Sequence, residues 1–104
     1  MIETLKKLMG IAPKADFTTL VAEGAVILDV RTKGEYNGGH IKGAVNIPLD
    51  QLSGNLNKFK DKSKTIITCC ASGTRSSIAK GILLSNGYTN VHNGGGWMRL
   101  NSKI

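Results

Sequence analysis

Two short apolar runs lack the alternation of a half-exposed strand and dominate the pattern of the chain. Ala25 to Val30 (AVILDV) and Thr65 to Cys69 (TIITC) read as strands covered on both faces, because a strand with one wet face would alternate apolar and polar residues. Elsewhere the apolar positions recur at helical spacing. Phe17 to Glu23 is predicted as a short helix, with Asp16 as its cap and Gly24 as its stop. Thr32 to Gly39 predicts a brief helix, and Ala44 to Ile47 a short extended piece before Pro48. Leu49 to Phe59 predicts a helix with Leu52 and Leu56 inward. Ser76 to Asn86 predicts another, with Ile78, Ala79, Ile82 and Leu83 on one face and Gly87 as its stop. Asn90 to His92 predicts a last short strand ahead of Gly94, Gly95 and Gly96. At the N-terminus, Ile2, Leu5, Leu8 and Met9 predict an amphipathic turn and a half within Met1 to Ile11.

Buried strands alternating with helices predict an α/β domain with a mainly parallel central sheet. Right-handed crossovers would place helices on both of its faces. A chain of 104 residues fits a single domain over 1–104, with its core at about 16–100. Hydrophobic residues make up 40% and charged ones 20%, which suits a globular protein that needs no disulfide staples. The two cysteines, Cys69 and Cys70, are adjacent, which excludes a framework of crosslinks. With His40 and His92 far off, they also lack the paired spacing of a zinc site. No apolar run has the length of a membrane span or the form of a signal peptide, so the expected setting is cytoplasmic, with no membrane partner.

Charge adds one asymmetry to this picture. All seven acids lie in the first 61 residues, against eight bases there, whereas six bases and no acid follow from Lys62 onward. The C-terminal half should carry a field that favours anions. Its bases are not interleaved with aromatics, which argues against nucleic acid as a partner.

Candidate chemistry concentrates in Cys70-Ala71-Ser72-Gly73-Thr74-Arg75-Ser76, where the second buried strand gives way to a helix. Ligands of parallel sheets bind outside the carboxyl ends of the strands. A tight loop there can turn its amides inward as an anion cradle, reinforced by the positive end of the helix dipole. Ala71, Ser72 and Gly73 are small enough to let the loop curl closely. A cysteine opening such a cradle should ionise below the ordinary value of about 8.5 and act as a nucleophile, its sulfur open to solvent. Arg75 in the first helical turn opposes the dipole, and its position is explained by a neighbouring anion. Cys69 points to the opposite side of the strand and is expected to be structural.

Four segments in this order make the chain resemble the rhodanese family over roughly Asp16 to Leu100. They are Ile27-Leu-Asp-Val-Arg31, then Glu35-Tyr36 with Gly39-His-Ile-Lys-Gly-Ala-Val-Asn-Ile-Pro48, then Cys70 to Ser76, and finally Gly94-Gly-Gly-Trp97. The resemblance implies a three-layer sandwich with a mainly parallel sheet of about five strands. It implies a thiosulfate-type sulfurtransferase in which Cys70 carries sulfur as a persulfide, while the amides of Ala71, Ser72, Gly73, Thr74 and Arg75 and the Arg75 guanidinium hold the anion. The donor would be thiosulfate or a similar anion, the acceptor a thiol, a protein thiol or cyanide. No metal or organic cofactor is implied, and the protein would act as a monomer. Four residues separate Cys70 from Arg75, as in the sulfur-transfer members. Related phosphatases have five, which widens the cradle for a tetrahedral phosphate. The alternative is a persulfide carrier or protein-interaction module with little thiosulfate turnover.

The remaining polar residues have blander expectations. Asp29 and Arg31 should pair and hold loops, His40 should be a hydrogen-bonded structural histidine, and His92 an exposed strand-end residue. Trp97 has two open readings, as a wall of the pocket beside Cys70 or as core packing. Lys80 is expected to be solvated.

Overall fold

The computed structural model describes residues 16–104, so the amphipathic segment expected over Met1 to Ile11 lies outside them. The two apolar runs become β1 (Val26–Asp29) and β3 (Ile66–Cys70), the centre of a four-stranded sheet. β2 (Val45–Asn46) flanks β1 and β4 (Val91–Gly96) flanks β3, giving the order β2-β1-β3-β4 with every pairing parallel. Val26 stands beside Ile66 and Asp29 beside Cys69. Among the described residues the sheet has four strands, not the five or so that the family resemblance implied; only four segments carried an extended pattern.

Side chains of the central strands alternate between two cores. Leu28, Val30, Ile66 and Cys70 face one, which is closed by α3 (Leu49–Leu52), a 3-10 turn (Leu56–Lys58) and α4 (Thr74–Ser85). Ile27, Ile67 and Cys69 face the other, covered from α1 (Phe17–Ala22), α2 (Lys33–Asn37) and α5 (Trp97–Asn101). This is the expected three-layer α/β sandwich. Asp16 caps α1 as anticipated, accepting from the Thr19 amide at 3.3 Å. Among the described residues no helix is long and apolar enough to cross a membrane.

Three elements depart from the sequence reading. The helix expected over Leu49 to Phe59 breaks after Leu52, where the Asn55 amide turns back to Leu52 O and the Asn55 side chain donates to Gln51 O at 2.7 Å. α4 begins two residues early, and its inward face runs through Ser76, Ala79 and Leu83. Ile78 is left 51% exposed, the core side at the start of this helix being taken by Ser76. β4 continues through the glycines, because a Cβ on Gly94 would lie 2.8 Å from both Thr68 O and the Leu100 side chain. Only a residue without a side chain lets β4 approach β3 and α5 so closely. His92, expected to be exposed, is half-buried, and its Nε2 lies 3.0 Å from Asn90 Oδ1.

Candidate active site

Cys70 is the last residue of β3, and the chain then curls through Ala71 and Ser72 before α4 starts at Thr74. Gly73 makes the curl possible: its φ of +108° lies in the left-handed region, which a side chain disfavours. That turn directs the Gly73 amide at the Cys70 sulfur, which it meets at 2.9 Å. The thiol in turn lies 3.6 Å from Ser76 Oγ. Ser76 is fully buried, with its hydroxyl 2.9 Å from Gly73 O and 2.7 Å from Asn93 Oδ1. Asn93 is itself fixed, accepting from the Gly95 amide at 2.9 Å.

The sulfur was expected to be open to solvent, and here the structure corrects the sequence. Cys70 is 1% exposed, packed on the first core and roofed by its own loop. Its environment is nevertheless polar enough to matter. Burial pushes the thiol up, but the Ser76 hydroxyl and the amides of Ser76, Gly73 and Ser72 outweigh it and bring the pKa below the ordinary value. Of the loop amides, that of Gly73 bonds to the sulfur and that of Ser72 adds to its stabilisation. Cys69 is equally buried but shifts the opposite way. Burial, followed by the charge of Asp29, pushes its thiol up to about 12. Alkylation by iodoacetamide across a pH series should therefore modify Cys70 with a midpoint below that of a free cysteine, about 8.5. Cys69 should stay unlabelled throughout; peptide mapping reads both.

Arg75 has a partner that the sequence reading did not anticipate. Its guanidinium was to hold the donor anion, yet Nη1 donates to Glu35 Oε1 at 2.6 Å and Nη2 to Glu35 Oε2 at 2.9 Å. Glu35 is anchored in its own right. It forms a capping box at the start of α2, accepting from Thr32 N at 3.0 Å and from Thr32 Oγ1 at 3.1 Å. The Arg75 bonds, with those from Thr32, hold its carboxyl down to about 2. A cavity of about 320 Å³ opens beside Arg75, lined by Val30, Thr32, Pro48, Leu49 and Asp50.

Beneath the loop, Asp29 and Arg31 form the expected structural pair. Arg31 Nη2 lies 2.7 Å from Asp29 Oδ2, with the two side chains 4% and 0% exposed. The same guanidinium donates to Gly39 O at 2.7 Å and to Glu35 O at 3.2 Å. Trp97 lays its ring 4.6 Å from the Arg31 guanidinium carbon and packs on the second core, so its role is scaffold. His40 is also structural, stacked on Tyr36 with Nδ1 2.8 Å from Tyr36 O. Lys80 is half-buried. Ser76, Asn93 and Glu35 were not recognised as site residues. Thr32-x-x-Glu35 carried a legible capping-box signal, but nothing local in the sequence places Asn93 against Ser76.

Comparison with known proteins agrees with this architecture. The model of the family described as Rhodanese-like domain matches residues 14–103. The chain is 40% identical over 70 residues to thiosulfate sulfurtransferase PspE of Escherichia coli (strain K12), covering 66% of this chain and 67% of that protein. It is 32% identical over 88 residues to a tRNA uridine(34) hydroxylase of Staphylococcus saprophyticus, covering 78% of this chain but 27% of that protein. Among solved structures, a "rhodanese with anions from E. coli" superimposes with a TM-score of 0.69 at 36% identity, covering 73% of this chain and 91% of that one. The chain spans only part of these curated relatives.

Proposed function

The chain belongs to the rhodanese-like domain family, a sulfurtransferase family, and from that premise we propose that it moves sulfane sulfur through a persulfide on Cys70. The supporting observation is the Gly73 amide 2.9 Å from the Cys70 sulfur, at a strand-to-helix junction where the first turn of α4 adds its dipole. In the first half-reaction the Cys70 thiolate attacks the outer sulfur of thiosulfate or a similar donor. The donor S–S bond breaks, its electron pair leaves with sulfite, and Cys70 keeps the transferred sulfur. In the second, a thiol, a protein thiol or cyanide attacks that outer sulfur, and the thiolate of Cys70 is the leaving group.

No proton donor is demanded at either step, since each leaving group departs as an anion. The work of the loop is to hold negative charge on sulfur with dipoles already in place. The small loop residues Ala71, Ser72 and Gly73 form the roof through which a donor sulfur must reach Cys70, and Thr74 and Arg75 form its far edge. The setting for this activity is a monomer in the cytoplasm, where reduced thiols are available as acceptors.

A second reading, a persulfide carrier with little thiosulfate turnover, is favoured by one observation: the guanidinium expected to bind an anionic donor is already engaged by Glu35. Intact mass after incubation with thiosulfate tests the chemistry that both readings share. The expected result is a gain of one sulfur, removed by a reductant and mapped to the peptide containing Cys70. A mass that never changes with any sulfane donor would overturn the proposal.

A further inference from the structure

We infer that Glu35 is a specificity-determining residue, which neutralises Arg75 at the rim of the loop and directs the site away from small dianionic donors toward persulfidic thiols. The inference rests on the persulfide reading of Cys70 and names the donor class of that same site.

Arg75 is the cation nearest in sequence to the loop. It stands in the first turn of α4, directly after the loop that opens at Cys70. A dianion such as thiosulfate offers little surface for packing, so its capture depends on such a charge. Here both terminal nitrogens of Arg75 are taken by the Glu35 carboxylate. Asp50 lines the same cavity as Arg75, which adds a second acidic residue to its walls.

The pair is no stability device. Its partners are 33% and 37% exposed, and pairs so open to water contribute little to folding. What it does is fix a charge balance at the entrance. The Thr32 bonds hold Glu35 in place independently of Arg75, so an arriving anion must compete with a preorganised carboxylate. A persulfidic thiol, R–S–S⁻, carries a single charge on its transferable end and can bind through R, for which the neighbouring cavity has room. Its transfer balances simply. The Cys70 thiolate bonds to the outer sulfur, the S–S bond of the persulfide breaks, and R–S⁻ leaves with the electron pair.

The test compares wild type and Glu35→Gln with two donors, thiosulfate and cysteine persulfide, using cyanide as acceptor at low and high salt. Glutamine can still complete the capping box, so the variant should keep its fold, which its melting temperature verifies. Removing one negative charge should raise kcat/KM for thiosulfate by about tenfold and steepen its decline with salt. The value for cysteine persulfide should rise by only about threefold, because a single charge feels half the Coulomb energy of a dianion. An unchanged or reduced thiosulfate value in folded Glu35→Gln overturns the inference while leaving Cys70 chemistry intact. Failure of wild type to gain sulfur from either donor overturns the persulfide reading itself.

Discussion

Cys70→Ser is expected to lose sulfur transfer by a thousandfold or more, on the order of what removal of a nucleophile costs, with little loss of stability. Serine fits the same space and still accepts the Gly73 amide that now meets sulfur at 2.9 Å. Its hydroxyl, however, cannot be ionised near neutrality by amides and a helix dipole, and oxygen forms no stable counterpart of the persulfide. The two measurements are intact mass after exposure to a sulfane donor and thiocyanate formed with cyanide, both read against melting temperature. Cys69→Ala supplies the contrast. Its sulfur faces the other core, so the variant should lose about 1 kcal/mol from a small cavity while loading sulfur normally. A folded Cys69→Ala that no longer loads would show that the wrong cysteine has been assigned.

Arg31→Ala is expected to have the largest effect on folding, a loss of about 3–5 kcal/mol, the range for breaking a buried ion pair by removing one partner. Asp29 is fully buried, and without Arg31 its carboxylate loses three bonds from the side chain, at 2.7, 3.0 and 3.1 Å. Gly39 O and Glu35 O lose their guanidinium donor, and the Trp97 ring loses its stacked partner. At roughly 4 °C or more per kcal/mol for a domain of this size, the melting temperature should fall by about 12 °C or more. Replacing the pair together, as Asp29→Leu with Arg31→Met, should recover much of that loss, because no charge is then stranded. A single variant melting within a few degrees of wild type would mean that the pair does not brace this end of the sheet.

How much of this was legible follows from how local each signal is. β1 and β3 could be read because continuous β-branched and apolar runs have few other fates. The cradle could be read because small residues and a glycine follow a cysteine at the end of such a run. Arg75 was singled out for an anion or thiolate nearby; its pairing with Glu35, forty residues earlier, was not legible, because pairing at that distance leaves no periodic trace. The closed state of Cys70 was likewise beyond reach, since loop cover depends on where β4 and α5 settle. β4 was read three residues long because its glycines look like loop; they are strand because Thr68 O and Leu100 press on Gly94. Ile78 was placed inward by periodicity, while the inward position belongs to Ser76, whose hydroxyl faces Cys70 and Asn93.

The parallel alignment of all four described strands gathers their ends at one pole of the molecule and their starts at the other. Arg31, Cys70 and Gly96 all emerge where strands finish, whereas the connection through Lys60, Asp61, Ser63 and Lys64 lies where β3 begins. Five strand residues separate the two poles, roughly 16 Å at the usual rise. A tag, fluorophore or tether attached around Ser63 would thus ride on the far side of the sheet from the transferred sulfur, leaving the whole entrance free for whatever delivers or collects it.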